Sequence, residues 1–457
     1  MHINIEKVVN EAKFNSFHFL LVFWCGFIIM FDGYDLVIYG SAIPILIKEW
    51  SLTPTQAGAL GSYALIGMMF GALIFGPLAD KIGRKNVILF CLALFSFFTF
   101  LIGFSNGPGQ FGIYRFIAGL GLGGVMPNAV ALTTEYSPKP LKSTLVSIMF
   151  SGYSLGGMLS AGLAILLLPK FGWQSLFFVG GLPLLFLPIL YKTLPESSNF
   201  LLAKSNAENI KKVLKRINPS LQFQDGDSFV ISNKEKQQGI SVMKLFHEKR
   251  ALSTILLWIS FFMCLLMIYG LNTWLPQLML ESGYPINSSL MFLLVLNLGA
   301  IFGAIFGGWL ADRWSAKKVL ILFFVLGSVS LTLLGFKGHI LFLYFLIGIA
   351  GAATIGTQII SNAYASNYYP LTIRSSGVGW ALGIGRLGAI VGPIMGGVLL
   401  SMQLSTFQNF LAFAIPGIIA AISVSFINEH QPQSASLESS ESSTKLSTIE
   451  NIENTKV

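Results

Sequence analysis

Charge is what this chain lacks. Only 11% of its 457 residues are Asp, Glu, Lys or Arg, while 54% are hydrophobic; a soluble globular domain carries about 25% charged residues. That balance excludes a soluble domain. Cysteine is scarce as well: Cys25, Cys91 and Cys264 are odd in number and lie in apolar stretches, which supports neither a disulfide framework nor a thiolate metal site. The five histidines are scattered without metal-ligand spacing, so no metal and no cofactor is expected. Strict apolar/polar alternation is missing too, and barrel strands of about 10 residues are excluded by runs that are far longer and continuously apolar. No glycine opens a strand-to-helix turn of the phosphate-binding kind, and no catalytic constellation proposes an enzyme. The first apolar segment is too long for a signal core and lacks a small-residue cleavage pattern, so it is expected to stay as the first helix.

What the chain does have is a rhythm of apolar runs. They fall at about 17–47, 54–79, 86–104, 108–134, 144–168 and 173–191, then at 251–280, 287–311, 317–336, 339–362, 374–401 and 405–427. Each can cross a hydrocarbon core of about 30 Å as a helix. The expected fold is an all-α polytopic membrane protein, with twelve transmembrane helices in two six-helix bundles, residues 1–191 and 251–427. A basic cytoplasmic loop, 192–250, with Lys211, Lys212, Lys215, Arg216 and Lys234, joins them loosely. The tail, 428–457, is rich in Ser, Glu, Thr and Asn and poor in large apolar residues, so it is expected to be disordered. With the amino terminus inside, the short inner segments hold Lys7, Lys13, Lys81, Arg84, Lys85, Lys139, Lys142, Arg313, Lys317, Lys318 and Arg374. Only Lys48, Lys170 and Lys337 lie outside. This positive-inside bias puts both termini in the cytoplasm of an inner (plasma) membrane protein. It also accounts for much of the net charge of +9, so a nucleic-acid partner is not expected.

The two sixes are copies. Asp80 and Asp312, Pro44 and Pro276, Pro138 and Pro370, and Lys142 and Arg374 are all 232 residues apart. The segment from Gly76 to Lys85 answers to the segment from Gly308 to Lys317. Parallel six-helix repeats are the architecture of a rocker-switch transporter with its site between the halves near the midplane.

Inside the first span lie Asp32 and Asp35. An ionisable group near a bilayer centre costs roughly 2.5–3.5 kcal/mol on insertion scales, so two in one helix imply a task that apolar residues cannot perform. Three residues apart, they share a helix face with Tyr39. Repulsion between them and desolvation favour holding a proton on at least one, which makes them candidates for proton coupling. Their repeat counterparts are Cys264 and Met267, so the acidic pair is an asymmetric addition. A guanidinium in a membrane span needs an anion. Arg115 is expected to pair with the acids of the first helix, and Arg386, in the middle of its span, to hold a substrate carboxylate. Asp80, Arg84, Glu135 and Asp312 sit at inner helix ends and are expected to form gate pairs that close with the inner side. Asn272, Trp380 and Tyr39 are candidate substrate contacts, with Asn128, Trp274, Gln358 and Asn362 as further polar or aromatic positions in the spans.

The Gly76-to-Lys85 loop resembles a signature of the major facilitator superfamily. So do the segment from Arg115 to Gly124 and Pro195-Glu196-Ser197. Asp32-Gly33-Tyr34-Asp35 is similar to the narrower family of aromatic acid:proton symporters. The resemblance implies a monomeric, proton-coupled carrier that imports a small organic anion, a benzoate-like or hydroxybenzoate-like carboxylate, by alternating access. The loop at Ser315 and Ala316 departs from the signature, where Gly and Arg would stand. A sugar or polyol porter of the same superfamily is the alternative, opposed by the two intramembrane arginines and the acidic pair; efflux of a drug-like anion is another. A receptor or channel is disfavoured by the two pseudo-symmetric halves.

Overall fold

The computed structural model describes residues 2–223, 227–230, 242–247, 250–336, 338–370 and 373–428. Lys234, Lys337 and the tail beyond Asn428 lie outside them. Among the described residues, twelve helices are long and apolar enough to cross a membrane. They are numbered here α1 (Ser16–Glu49), α2 (Pro54–Ile82), α3 (Arg84–Ile102), α4 (Pro108–Tyr136), α5 (Lys142–Phe171), α6 (Gln174–Thr193), α7 (Ala251–Glu281), α8 (Ile286–Arg313), α9 (Ala316–Leu334), α10 (Ile340–Tyr368), α11 (Arg374–Ser401) and α12 (Thr406–Ser425). Local chemistry sets several of the ends. Thr53 caps α2 reciprocally with Gln56, with Pro54 at the first helical position, and Ser405 does the same for α12 with Gln408. In α6 the helix breaks at Gly181 and restarts at Pro183, whose missing N–H cannot continue the ladder.

Helices pack through glycines that leave no room for a side chain, and these close approaches recur in the register of the repeat. A Cβ on Gly67 would strike the Phe116 carbonyl and one on Gly299 the Gly348 carbonyl. Gly71 and Gly303 meet Leu120 and Ala352, Gly119 and Gly351 meet Ala64 and Leu296, and Gly156 and Gly388 meet Met30 and Phe262. Within each six, these contacts hold α1 on α5 and α2 on α4, and likewise α7 on α11 and α8 on α10.

An even number of spans returns both ends and the long connection to one face. Asn15 donates to the carbonyls of Arg216 and Ile217, Lys317 Nζ to Ile427, and the Asn428 N–H to Ser253. The connection has regular structure in its described part. It contains helices Ser198–Ala203 and Ala207–Ile217, the second burying Ile210, Leu214 and Ile217 at helical spacing, and Ser228–Val230 pairs in parallel with His2–Asn4. A polar composition concealed one apolar stripe.

The contacts that join the two sixes lie at the middle of the bundle and in the half away from this terminal face. Gly40 abuts Asn272, Gly58 and Gly61 abut Pro393, Gly397 abuts Pro54, Gly157 abuts Asn297, and Ser62 Oγ donates to the Ile390 carbonyl at 2.6 Å. Toward the terminal face Asp80 and Asp312 are exposed and form no ion pair among the described residues. The close contacts between the halves named here thus lie at the middle and toward one side.

Adding one methyl tests this packing. Gly156→Ala drives a Cβ into the Met30 carbonyl and should cost about 1–3 kcal/mol as overpacking, read as a lower melting temperature in detergent. Gly76→Ala, where the added carbon meets nothing within 4 Å, should leave melting unchanged. Equal melting of both variants would mean that the glycine contacts do not set the helix spacing.

Candidate functional site

The two acids of α1 part company. Asp35 turns into its own half: the Thr99 hydroxyl on α3 donates to its carboxylate at 2.5 Å, and Arg115 on α4 lies 3.7 Å from the other oxygen while donating to the Asp35 carbonyl at 3.1 Å. Arg115 is only 2% exposed and its guanidinium stands 5.0 Å from the Tyr39 ring centroid. The Tyr39 hydroxyl in turn donates to the Ala57 carbonyl at 2.5 Å. Asp35, Arg115 and Tyr39 thus form one buried, internally balanced cluster. The Tyr39 hydroxyl is spent within the first half, on α2, while its ring lies against Gly61, beside Pro393 of the second half.

Asp32 faces the other way. It is fully buried, and neither carboxylate oxygen accepts a hydrogen bond from any described residue. The charged groups within electrostatic reach are Asp35, one turn along α1, and Arg386 on α11; Tyr153 on α5 and Tyr269 on α7 are in reach as well, and the two phenols interact with each other. Gly33 makes this possible, because any side chain there would collide with the backbone of Tyr153 and push α5 away. Arg386 is half-buried and donates to the Met68 carbonyl of α2 at 3.0 Å, a bond that crosses between the halves. The cluster is built from both sixes, Asp32 and Tyr153 from one, Tyr269 and Arg386 from the other.

Tyr153 and Tyr269 escaped the sequence reading. The repeat could have found them: at 232 residues' distance the four positions are answered by Cys264, Gly385, Val37 and Ser154, none of the same kind. Thr99 and Asn297 were missed because single hydroxyls and amides in apolar helices carry no pattern.

The remaining candidates are dispersed. Asn272 is buried at the contact of the halves, donating to the Ile268 carbonyl and accepting from Asn297 Nδ2 on α8 at 3.3 Å. Trp380 stacks on Trp258 with centroids 5.8 Å apart and shares an exposed apolar stripe with Leu387 and Val391. Trp274 donates to the Pro393 carbonyl and Asn128 to that of Gly124, both structural bonds. Gln358 and Asn362 are partly buried on α10.

At the terminal face, Arg84 and Glu135 form an ion pair at 2.6 Å, joined by Ser197, Ser198 and the Asn199 N–H on the Glu135 carboxylate. The pair lies wholly within the first half, and Asp80 takes no part in it. Beside it the Glu196 carboxylate accepts from the N–H groups of Lys85 and Ser197 and occupies the space where a Cβ of Gly83 would be; Gly83 has φ of +96°, open to glycine. Burial pushes the Glu196 carboxyl up from the usual range, and the N–H groups pull it back. Two separate sequence signatures, the Gly76-to-Lys85 loop and Pro195-Glu196-Ser197, are one structural knot. In the second half Ser315 replaces Gly83 in an extended backbone, and the copy lacks it.

The sequence pattern of the Major Facilitator Superfamily matches residues 25–307 and 289–454. A benzoate transport protein of Acinetobacter baylyi is 48% identical over 440 residues, covering 94% of each chain. The 4-hydroxybenzoate transporter PcaK of Pseudomonas putida is 35% identical, covering 92% of this chain and 95% of its own. Among solved structures, the inward-open xylose transporter XylE of E. coli superimposes with a TM-score of 0.71 at 17% identity, over 91% of this chain and 98% of that one. At such identity the likeness concerns the fold alone.

The balanced cluster predicts a pattern of stability. Arg115→Gln leaves the Asp35 charge buried without its partner and should destabilise by about 3–5 kcal/mol, seen as loss of monodisperse protein after extraction. Arg115→Gln with Asp35→Asn removes both charges and should recover much of that loss. A double variant no better folded than Arg115→Gln would show that the pair is not what holds these helices.

Proposed function

The chain belongs to the major facilitator superfamily, among its carriers of aromatic acids, and is a multi-pass transporter and not an enzyme; from that premise we propose that it imports a benzoate-like monoanion together with one proton. The observation that carries the reading is Asp32, a buried carboxylate without a hydrogen-bond donor, set between the halves and facing Arg386. An ionised Asp32 and a substrate carboxylate would compete for that guanidinium. A proton on Asp32 removes the competitor and leaves the planar fork of Arg386 to the substrate. Each ligand thereby favours the other, which is the condition for symport.

Asp35 is already answered by Arg115 and Thr99, so Asp32 is the acid left to carry a proton. One monoanion with one proton is electroneutral and draws on the pH gradient alone. A second proton would add about 2.3 kcal/mol per 100 mV of membrane potential. The substrate class rests on the 48% identical benzoate transport protein and on the arginine at the interface of the halves. The Asn272, Trp380 and Tyr39 contacts remain part of the proposal, as aids to ring placement and to the support of Arg115. The excess of Lys and Arg on the terminal face supports cytoplasmic termini in the inner membrane, hence an outer side that is shut and an inner side that is open. Alternating access moves the parting between the halves from one face to the other, with Asp80 and Asp312 as candidates for contacts on the inner side.

In proteoliposomes, uptake of radiolabelled benzoate should follow an imposed pH gradient and stay within about twofold when a potassium-diffusion potential of about 100 mV is added. A stimulation approaching fiftyfold, the equivalent of about 2.3 kcal/mol, would assign two protons. Asp32→Asn should abolish accumulation and keep exchange of internal for external substrate; accumulation at the wild-type level would overturn the coupling role. Arg386→Lys keeps the charge and loses the fork, and should weaken benzoate binding by about tenfold or more, about 1.4 kcal/mol. Wild type should reject benzamide, and Arg386→Ala should discriminate much less. Equal discrimination by the two would remove Arg386 from the site.

A further inference from the structure

One surface feature lies apart from the central cluster. Between α8, α9 and α10, facing outward from the second six, is a groove of about 530 Å³ with apolar walls. Its floor is made by Gly303, Ala352 and Ala353, and its rim by the exposed side chains of Phe306 and Trp309, whose rings stack 5.5 Å apart. The repeat gives the first six different residues here: Ile74, Pro77 and Leu120 stand at the counterparts of Phe306, Trp309 and Ala352. In this half the long side chain on the floor has become a methyl and the proline on the rim an indole. The residues that shape the hollow thus differ between the halves.

The groove ends at a cation. Arg313, the last residue of α8, holds its guanidinium 4.2 Å from the Trp309 ring centroid and forms no ion pair among the described residues. Trp309 and Arg313 are one helical turn apart, about 6 Å along the axis, which places the charge at the terminal-face boundary above the apolar slot. Exposed Lys318 lies nearby in sequence, whereas Lys317 is occupied by the Ile427 carbonyl. Asp312 is adjacent to Arg313 but a helical step of about 100° away. The stack of guanidinium on indole both orients the fork and leaves its edge N–H groups outward.

We propose that this groove is a site for one anionic phospholipid of the leaflet at the terminal face, with an acyl chain lying along Phe306 and Trp309 and its phosphate held by Arg313. Apolar slots with a basic mouth on the cytoplasmic side of a bundle suit lipids of that charge, and the volume is within the range of about 300–1,000 Å³ for ligand sites. Charge complementarity decides for an anionic headgroup over a zwitterionic one, since a bare apolar slot would take any chain.

The test uses purified full-length protein in detergent, washed free of loose lipid, and counts retained phosphatidylglycerol and phosphatidylcholine by native mass spectrometry after exposure to equal amounts. Wild type should keep one phosphatidylglycerol in preference to phosphatidylcholine. Arg313→Gln should lower that retention about fivefold, the effect of about 1 kcal/mol for one basic residue, and Ala352→Leu should abolish it by restoring the bulk found at Leu120. Should Ala352→Leu fail to fold, Arg313→Gln and the wild-type preference carry the test. Equal retention of both lipids by wild type, or an unchanged preference in Arg313→Gln, would overturn the site. Because Arg313 and Ala352 are outside the central cluster, either result stands apart from the outcome of the transport assays.

Discussion

A carboxylate held out of water must be answered by a cation, by donors, or by a proton, and this requirement organises the centre of the molecule. Asp35 has the first two answers in Arg115 and Thr99. Asp32 has neither at hydrogen-bond distance among the described residues; it lies in the repulsive field of Asp35 and the more distant attractive field of Arg386, near two phenols. The same residue type, three positions apart on one helix, has been given two different environments by the packing of the helices around it. The third answer is the one left for Asp32, which is why the proposed symport is built on it, under the same rule that makes most intramembrane charges costly.

That difference needs helices at closely defined distances, and the backbone contacts at glycine provide them. The repeat of these contacts at Gly67 and Gly299, Gly71 and Gly303, Gly119 and Gly351, and Gly156 and Gly388 gives both halves one scaffold. On that shared scaffold the functional side chains are different in the two halves. Symmetry fixes where helices lie, and departures from symmetry mark the two places for which a function is proposed, the Asp32 cluster and the groove between α8, α9 and α10.

The fold was legible in advance because hydrophobic length and the positive bias of short connections are strong signals that survive without an alignment. The spans, their number, and the pairing of halves all follow from them. The central cluster was legible in part. Charges in apolar helices announce themselves, as Asp32, Asp35, Arg115 and Arg386 did, but sequence does not show which way each turns; Asp32 and Asp35 were read as one pair on one face and are divided between an internal cluster and the interface. Tyrosines and asparagines are too common in membrane helices to stand out, so Tyr153, Tyr269 and Asn297 were missed while Tyr39 and Trp380 were chosen. At the terminal face, Arg84 and Glu135 stood out as charges at helix ends, but the hydrogen bonds that Ser197, Ser198 and Asn199 add to the Glu135 carboxylate come from beyond α6 and carried no signal.

The bond from Arg386 to the Met68 carbonyl has a bearing on leakage. It fastens α11 to α2, and a hydrogen bond made by a charged group contributes roughly 1.5–3 kcal/mol. Separation of these helices at that level breaks it, so an unloaded carrier would have to strand a guanidinium in order to turn over. A substrate carboxylate would take the place of the carbonyl and relieve that cost, whereas a neutral molecule or a lone proton would not. Under the proposed symport, slippage, the passage of protons without cargo, would be restrained by the resting partner of the arginine itself, and the tightness of coupling would become a property of one backbone oxygen on the opposite half.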